Sequence, residues 1–292
     1  CSSISSILTV CIKQKLKIFT PSNKPLFSEK DDFVLDKKDE VFQFLSTKLA
    51  RKLNEYLPAF EKYRSAIESS IIGTNEIAGL PYNQSTRLWT ERVKDIEFLQ
   101  PKIKGQSEIL EVGGWNGWLT NWLSKENSVT SIDYFINERD GLKARKHYKN
   151  ANWTSIQCAP SSIQFMESKF DYIIFNRGIQ FYANLPELIR ICQAKINPGG
   201  SIIITGLNFY TKSSSHVENY DQVAAEFQRN HGISFYIEPP FRKALNYSDK
   251  DTFKQCGMHL LRQTPRLNHL KNKLITKSKG SLYHGIWVNS KK

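Results

Sequence analysis

Three positions in the middle of the chain have the residue types and spacing of a nucleotide site. An acid and two glycines follow the pattern acid-x-Gly-x-x-x-Gly at Glu111, Gly113 and Gly117, and a second acid, Asp133, comes twenty residues after Gly113. Glycine lets a backbone approach a ligand closely. A carboxylate can accept hydrogen bonds from both hydroxyls of a ribose. These residues therefore predict a site for a ligand that contains a nucleoside.

The register of the glycines argues against a dinucleotide. A dinucleotide fingerprint needs the spacing GxGxxG. If Gly113 is the first glycine, the other two positions hold Trp115 and Trp118. If Gly117 is the last, the first position is Val112. Neither register fits, which disfavours a nicotinamide-dependent oxidoreductase.

The segments around these residues alternate between apolar strands and helices. Strands are predicted at 108–113, 128–133, 152–157, 170–176, 201–206, 258–264 and 281–289. Helices are predicted from residue 118, at 185–195, near 217–230 and 248–257, and in the basic connection 266–279. Buried strands separated by helices are typical of a parallel sheet covered on both faces. The predicted fold class is α/β, with a doubly wound, mostly parallel, seven-stranded sheet.

The first third of the chain predicts a helical cap on that sheet. Residues 1–36 are poorly defined, with a short strand at 16–19 and a turn at 31–36. Residues 37–104 read as the cap, with helices at 37–68 and 86–99 and a break or kink at Pro58. Residues 105–292 form the main domain. The chain starts at Cys1 rather than Met, so we expect further residues upstream.

Charge and cysteine usage narrow the setting. The formal net charge is +13, and residues 241–292 hold 12 Lys/Arg against 2 Asp/Glu. Such a surplus suits phosphate, anionic lipid or an acidic glycan, or forms a solvated face. Five scattered cysteines without a CxxC pair indicate a reducing, cytoplasmic setting. No apolar stretch is long enough to span a bilayer, and the His and Cys spacings predict no metal site.

The spacing at 111–117 resembles motif I of the class I S-adenosylmethionine-dependent methyltransferases. Residues 107–206 follow that family, with the run 170–176 similar to its fourth motif and 197–200 similar to its Pro-Gly-Gly turn. A bacterial group that often carries an N-terminal zinc ribbon is similar more narrowly. The pieces that resemble this group are Leu80-Pro-Tyr82, Trp89, Arg92, Gly117-Trp-Leu119, Asp140-Gly-Leu142, His147-Tyr148 and Phe175-Asn176.

The resemblance implies S-adenosylmethionine as the cofactor and assigns roles. Glu111 would face the methionine amino group, Asp133 would bind the ribose and Tyr134 would flank the adenine. The expected cofactor-binding residues are Glu111, Gly113, Gly114, Trp115, Gly117, Asp133, Tyr134, Ser161, Asn176 and Arg177. No catalytic residue is assigned, because methyl transfer needs a base only if the acceptor must lose a proton.

Three positions depart from the family pattern. Trp115 stands where a middle glycine is usual, and Ser161 stands where an acid would bond the adenine amino group. Cys1 and Cys11 are too few for a zinc ribbon, which is therefore absent, decayed or upstream.

The predicted function is methyl transfer from S-adenosylmethionine to a small molecule or a glycan or secondary-metabolite intermediate. An RNA methyltransferase is the alternative that the basic C-terminal part suggests, but nucleic acid is the less favoured partner. A non-catalytic protein with a decayed cofactor pocket is the third hypothesis, suggested by Trp115 and Ser161.

Overall fold

The strands predicted from the sequence assemble side by side. A computed structural model describes residues 16–66, 72–211, 215–274 and 280–290. The strands in these ranges are β1 (Ile18–Phe19), β2 (Pro25–Phe27), β3 (Phe33–Lys38), β4 (Val41–Ser46), β5 (Glu108–Val112), β6 (Ser128–Asp133), β7 (Trp153–Cys158), β8 (Phe170–Asn176), β9 (Ile196–Tyr210), β10 (Leu245–Asn246), β11 (His259–Arg262) and β12 (Ser281–Val288).

Within the described ranges, ten of these strands form one sheet. Its order is β11-β12-β9-β8-β5-β6-β7-β4-β3, with β10 pairing on β9 outside this path. Strands β4 to β9 pair in parallel, whereas β12 joins β9 and β11 antiparallel. The seven predicted strands are all present, and the α/β fold class is confirmed. Strand β5 lies between β6 and β8, where the order of strands reverses, and ligands bind at such a switch point.

The helices cover both faces of this sheet. They are α1 (Thr47–Ala66), α2 (Arg87–Leu99), α3 (Trp118–Leu123), α4 (Leu185–Ala194), α5 (Ser215–His231), α6 (Asp249–Gln255) and α7 (Arg266–Leu274). Leu185, Leu188 and Ile189 of α4 belong to one buried cluster. Side chains of α2 and α3 belong to a second cluster, with Trp89 and Leu119 among its members. The helices predicted from residue 118 and at 86–99, 185–195, 217–230 and 248–257 are present, with ends shifted by a few residues. The helix predicted at 266–279 is present to Leu274, and residues 275–279 lie outside the described residues.

The predicted helix at 37–68 is wrong at its start. Residues 33–38 and 41–46 form an antiparallel hairpin, and the expected turn at 31–36 is largely strand β3. Val41, Phe44 and Leu45 fit a helical spacing, but short apolar runs fit a strand equally well. Strand β4 pairs in parallel with β7 and so covers an edge that would otherwise expose unpaired backbone groups.

Helix α1 also runs through Pro58 without the predicted break. An internal proline removes a helical hydrogen bond, so packing must hold the turn together. Tyr56 and Phe60, on either side of Pro58, stack with ring centroids 5.4 Å apart. Phe60 also packs on Phe135 at 4.7 Å, which joins α1 to the loop after β6. Helix α1 therefore forms a roof over the carboxyl end of the sheet.

Within the residues that the structure describes, no helix is long and apolar enough to cross a membrane.

Candidate cofactor and acceptor site

The glycine loop follows β5 directly and is held by backbone geometry. The amides of Gly113 and Gly114 donate to the Ile132 carbonyl at 2.8 and 3.2 Å, which ties the loop to β6. A Cβ at position 114 would lie 1.8 Å from the Ser131 hydroxyl, so any larger residue there would have to displace the Ser131 side chain. Gly117 has a φ of 80° and begins α3, a left-handed conformation that glycine adopts without strain.

Asp133 lies at the end of β6 and holds the same loop. Its Oδ2 accepts the Trp115 amide at 2.8 Å, and its Oδ1 accepts the Phe135 amide at 3.1 Å. Burial raises the pKa of this carboxyl, and the backbone amides oppose the rise. Each carboxylate oxygen can accept more than one hydrogen bond. Asp133 can therefore bind a pair of hydroxyls without releasing the loop.

Glu111, the last acid of β5, is enclosed below the loop. The hydroxyl of Thr120 on α3 donates to its carboxylate, and Ser131 Oγ lies 3.4 Å from the same oxygen. Burial raises the pKa of Glu111 to about 8, partly offset by these hydrogen bonds, and the nearby Asp133 raises it further. A cation placed beside this carboxyl would favour its charged form.

Trp115 turns its ring toward helix α2. The ring stacks on Trp89, with centroids 5.9 Å apart and planes 12° from parallel. The Arg92 guanidinium lies 4.5 Å from the Trp89 ring and 5.1 Å from the Trp115 ring. Burial and the charge of Arg177 lower the pKa of Arg92 to about 10. The side chain of Trp115 thus joins the loop to α2, and its backbone amide is the part that contacts Asp133.

Asn176 and Arg177, at the end of β8, also bond to α2. Asn176 Nδ2 donates to Asp95 Oδ2 at 3.0 Å and to Thr205 Oγ1 at 2.6 Å. Arg177 Nε donates to Asp95 Oδ2 at 2.6 Å, and its Nη1 donates to Glu91 at 2.9 Å. Asp95 is fully buried. Asn176 and Arg177, which the sequence predicts as cofactor-binding residues, therefore belong to an ion-pair network that anchors α2.

Ser161 is exposed and lines a depression with Phe33, Lys48 and Pro239. This depression shares Ile237 and Glu238 with the aromatic cavity described below. Tyr134, in contrast, is buried next to Asp133, and its hydroxyl donates to Glu238 at 2.6 Å. Of the predicted residues, the structure brings together Glu111, the glycine loop, Asp133 and Tyr134.

Two residues of the site were missed in the sequence. Asn116 is 1% exposed, yet neither polar atom of its side chain has a hydrogen-bond partner among the described residues. A buried amide left unpaired costs about 1–3 kcal/mol, so a polar ligand or water is expected to complete it. The sequence feature that could have marked Asn116 as a site residue is its position between the glycines of the loop.

The second missed residue is Tyr182, in the loop after β8. A Cβ built on Gly113 would lie 2.7 Å from its hydroxyl, so Tyr182 reaches over the first loop glycine. Burial raises the pKa of Tyr182 well above its ordinary value, and the charges of Asp133 and Glu111 add to the rise. The hydroxyl therefore stays protonated and can donate. Nothing local in the sequence marks which side chain of this loop faces the glycines.

Next to Tyr182, an aromatic cavity of about 250 Å³ lies under helix α1. Its lining is Tyr56, Phe60, Tyr134, Phe135, Phe181, Tyr182, Tyr220, Phe235, Tyr236, Ile237 and Glu238. Nine of these side chains are aromatic, and Glu238 is the charged member. Tyr134 and Tyr182 are shared with the loop site, so the cavity adjoins it.

No described group of three or more His, Cys, Asp or Glu residues could hold a metal ion. Cys1 and Cys11, which bear on the zinc ribbon, lie outside the described residues.

Comparison with known proteins identifies the class. Residues 84–248 match the family model of the methyltransferase domain, which is more than half of the chain, so the chain belongs to that family. The predicted class, an S-adenosylmethionine-dependent methyltransferase of class I, is thereby confirmed. The matched range contains the glycine loop, Asp133 and α2. A search of curated protein sequences gives no significant match.

Solved structures of methyltransferases are similar to parts of this chain. Phosphoethanolamine N-methyltransferase 2 of Haemonchus contortus, in complex with S-adenosyl-L-methionine, is 14% identical, with a TM-score of 0.47 over 76% of this chain and 61% of that one. The plantazolicin methyltransferase BamL is 13% identical, with a TM-score of 0.46 over 84% and 99%. The N-methyltransferase NodS of Bradyrhizobium japonicum is 14% identical, with a TM-score of 0.42 over 71% and 90%.

The chain spans 61% of the length of the Haemonchus enzyme.

Proposed function

We propose that the chain transfers a methyl group from S-adenosylmethionine to a small-molecule acceptor held in the aromatic cavity. The observation that carries this proposal is the meeting of Asp133 with the glycine loop. The carboxylate fixes the loop through the Trp115 amide and keeps lone pairs for two hydroxyls. This arrangement, at the carboxyl ends of β5 and β6, fits the ribose of a nucleoside.

The remaining residues fit the rest of the cofactor. The buried carboxyl of Glu111 can bind the amino group of the methionine part. The side-chain amide of Asn116, which has no partner among the described residues, can bind a polar group of the cofactor. Tyr134 offers an aromatic face beside the adenine. The proposed set therefore keeps Glu111, Gly113, Gly114, Gly117, Asp133 and Tyr134, uses Trp115 through its backbone, adds Asn116 and Tyr182, and leaves out Ser161, Asn176 and Arg177.

The cofactor supplies an electrophilic methyl group on a sulfonium, so the protein acts mainly by positioning. Holding two reactants in line is worth up to about 7–11 kcal/mol of a barrier. The aromatic walls orient the acceptor and exclude water. The Glu238 carboxylate, bonded to the Tyr134 hydroxyl, is the group of the cavity that can take a proton from an acceptor.

The cavity favours a small molecule over RNA. Proteins hold nucleic acid by neutralising phosphates with Lys and Arg. Among the described residues that line the cavity there is no Lys or Arg. Aromatic faces and one carboxylate suit an acceptor that is apolar or cationic. We propose a cytoplasmic setting, because Cys158, Cys192 and Cys256 are free thiols.

Calorimetry with S-adenosylmethionine and S-adenosylhomocysteine tests the cofactor, and transfer of a labelled methyl group to pooled small metabolites or to total RNA tests the acceptor. We expect cofactor binding and label in the small-molecule pool. No binding at millimolar concentration would refute the cofactor site. Binding without transfer to either pool would favour the non-catalytic hypothesis, and label in RNA alone would overturn the small-molecule acceptor.

A further inference from the structure

Helix α7 carries an exposed leucine stripe that the methyltransferase site does not explain. Leu267, Leu270 and Leu274 are 82%, 46% and 73% exposed. Their spacing of three and four residues places them on one face of the helix. Among the described residues, nine large hydrophobic side chains are strongly exposed, and three of them lie on this nine-residue helix. Exposed apolar side chains gathered in this way mark a contact surface.

The opposite face of α7 is fastened to the domain. His269 Nδ1 lies 2.9 Å from Ser281 Oγ, and Asn272 Nδ2 donates to the Gly280 carbonyl at 2.9 Å. At 100° per residue, His269 points about 130° away from the centre of the leucines and Asn272 about 170° away. The helix is therefore held in one orientation, with the leucine stripe directed outward.

Basic residues flank the stripe on both sides. At the same angular spacing, Lys271 lies on one side of the leucines and Arg266 on the other, and both are exposed. The last 41 residues of the chain contain nine Lys/Arg and no Asp/Glu. A helix with an apolar stripe, a basic border and a fastened rear face has the pattern of a helix that lies in a membrane interface.

We propose that α7 docks the protein on the surface of an anionic lipid bilayer. The leucines would enter the boundary between headgroups and acyl chains, and Arg266 and Lys271 would face lipid phosphates. A second copy of the chain is a poor occupant, because it would bring two strongly basic surfaces together. RNA is also a poor occupant, because it would leave the leucines in water, and α7 has no aromatic side chain for base stacking.

Co-sedimentation of the full chain with vesicles tests the proposal without any cofactor. We expect binding to phosphatidylcholine vesicles with about a third phosphatidylglycerol, and weak binding to phosphatidylcholine alone. Raising the salt from about 0.05 M to about 0.5 M should weaken binding. No binding to the anionic vesicles at low salt would overturn the proposal, as would equal binding to both lipid mixtures.

Matched variants separate the stripe from general hydrophobicity and charge. Leu267→Ser with Leu274→Ser should weaken vesicle binding by at least about tenfold, whereas Leu88→Ser, at a half-exposed leucine of α2, should not. Lys271→Glu should weaken binding by about tenfold or more, since it removes one attractive charge and adds a repulsive one, and Lys94→Glu on α2 serves as its control.

Equal losses in the α2 controls would contradict docking through α7. So would a concentration-dependent dimer that disperses when the leucines are replaced, in a protein that does not bind vesicles. These readouts do not involve methyl transfer, so they stand whether or not the proposed function holds.

Discussion

Asp133 and Asp95 are two acids near the carboxyl end of the same sheet with opposite surroundings. Asp133 accepts its hydrogen bonds from backbone amides of Trp115 and Phe135. Asp95 is bonded by the Arg177 guanidinium and the Asn176 amide. Burial raises the pKa of both carboxyls. Asp133 keeps lone pairs that a ligand can use, whereas the carboxylate of Asp95 bonds Arg177 and Asn176 and so holds helix α2 in place.

Two polar residues at strand ends of the same sheet have partners of different kinds. Asn176 is the last residue of β8, and Asp133 is the last residue of β6. What separates them is whether another element brings a partner. Helix α2 brings Asp95 to Asn176, whereas the glycine loop brings Asp133 only main-chain donors. We therefore expect the ligand-binding acid to be Asp133, whose partners are main-chain amides that leave lone pairs available.

The largest effect is expected at the saturated acid. Asp95→Ala should lower the free energy of unfolding by about 3–5 kcal/mol, because it leaves the Arg177 charge buried without its main partner. Urea unfolding measures this loss. Adding Arg177→Met should recover part of it, since the double variant no longer buries the Arg177 charge. A loss below about 1 kcal/mol is what an exposed ion pair contributes, and it would contradict the expected role of this buried network.

A second effect should come from Glu111, whose pKa is about 8 in the folded chain against an ordinary value of 4.5. Between these values the folded state keeps a proton that the unfolded state has released, so stability should fall as the pH rises. From pH 6.5 to 8 the fall should be on the order of 2 kcal/mol.

Urea unfolding of the wild type and of Glu111→Gln over this pH range checks the fall, which the variant should lack. The window also avoids His284. Burial and nearby cations lower the pKa of His284 to about 4 from an ordinary 6.5, so its contribution is lost as the pH falls through that lower range. Parallel pH profiles of the two proteins would show that Glu111 does not titrate in this way.

Asp133→Asn should affect binding more than stability. The substitution removes a charge that accepts hydroxyl hydrogen bonds, which predicts about tenfold to thirtyfold weaker binding of S-adenosylhomocysteine. Calorimetry measures the change, and urea unfolding provides the control for folding. Unchanged affinity in a folded variant would show that Asp133 does not bind the cofactor. Asp133 and Asp95 would then both have structural roles only.

The smallest effect is expected at Ser161, which is exposed and lines a different depression from the loop residues. Ser161→Ala should change the affinity for S-adenosylhomocysteine by less than about twofold, because a substitution at an exposed serine usually has a small effect. The same calorimetry checks it. A tenfold loss would return Ser161 to the site and indicate that the loop after β7 moves on binding.

Several features of this protein follow from the sequence alone. The alternation of strands and helices from residue 108 onward, the glycine register and the acid at the end of β6 are local patterns. They can be read because periodicity and turn chemistry depend on near neighbours in the chain. The same patterns are the basis of the resemblance to class I methyltransferases, and the family match confirms that class.

Other features were decided only by contacts between distant segments. The hairpin of β3 and β4 is stabilised by pairing between β4 and β7. The orientation of the Trp115 ring is determined by its stacking on Trp89. The orphaned amide of Asn116 and the position of Tyr182 over Gly113 likewise depend on packing. A side chain's partners come from elements far away in sequence, and no local pattern records which of them the fold will bring near.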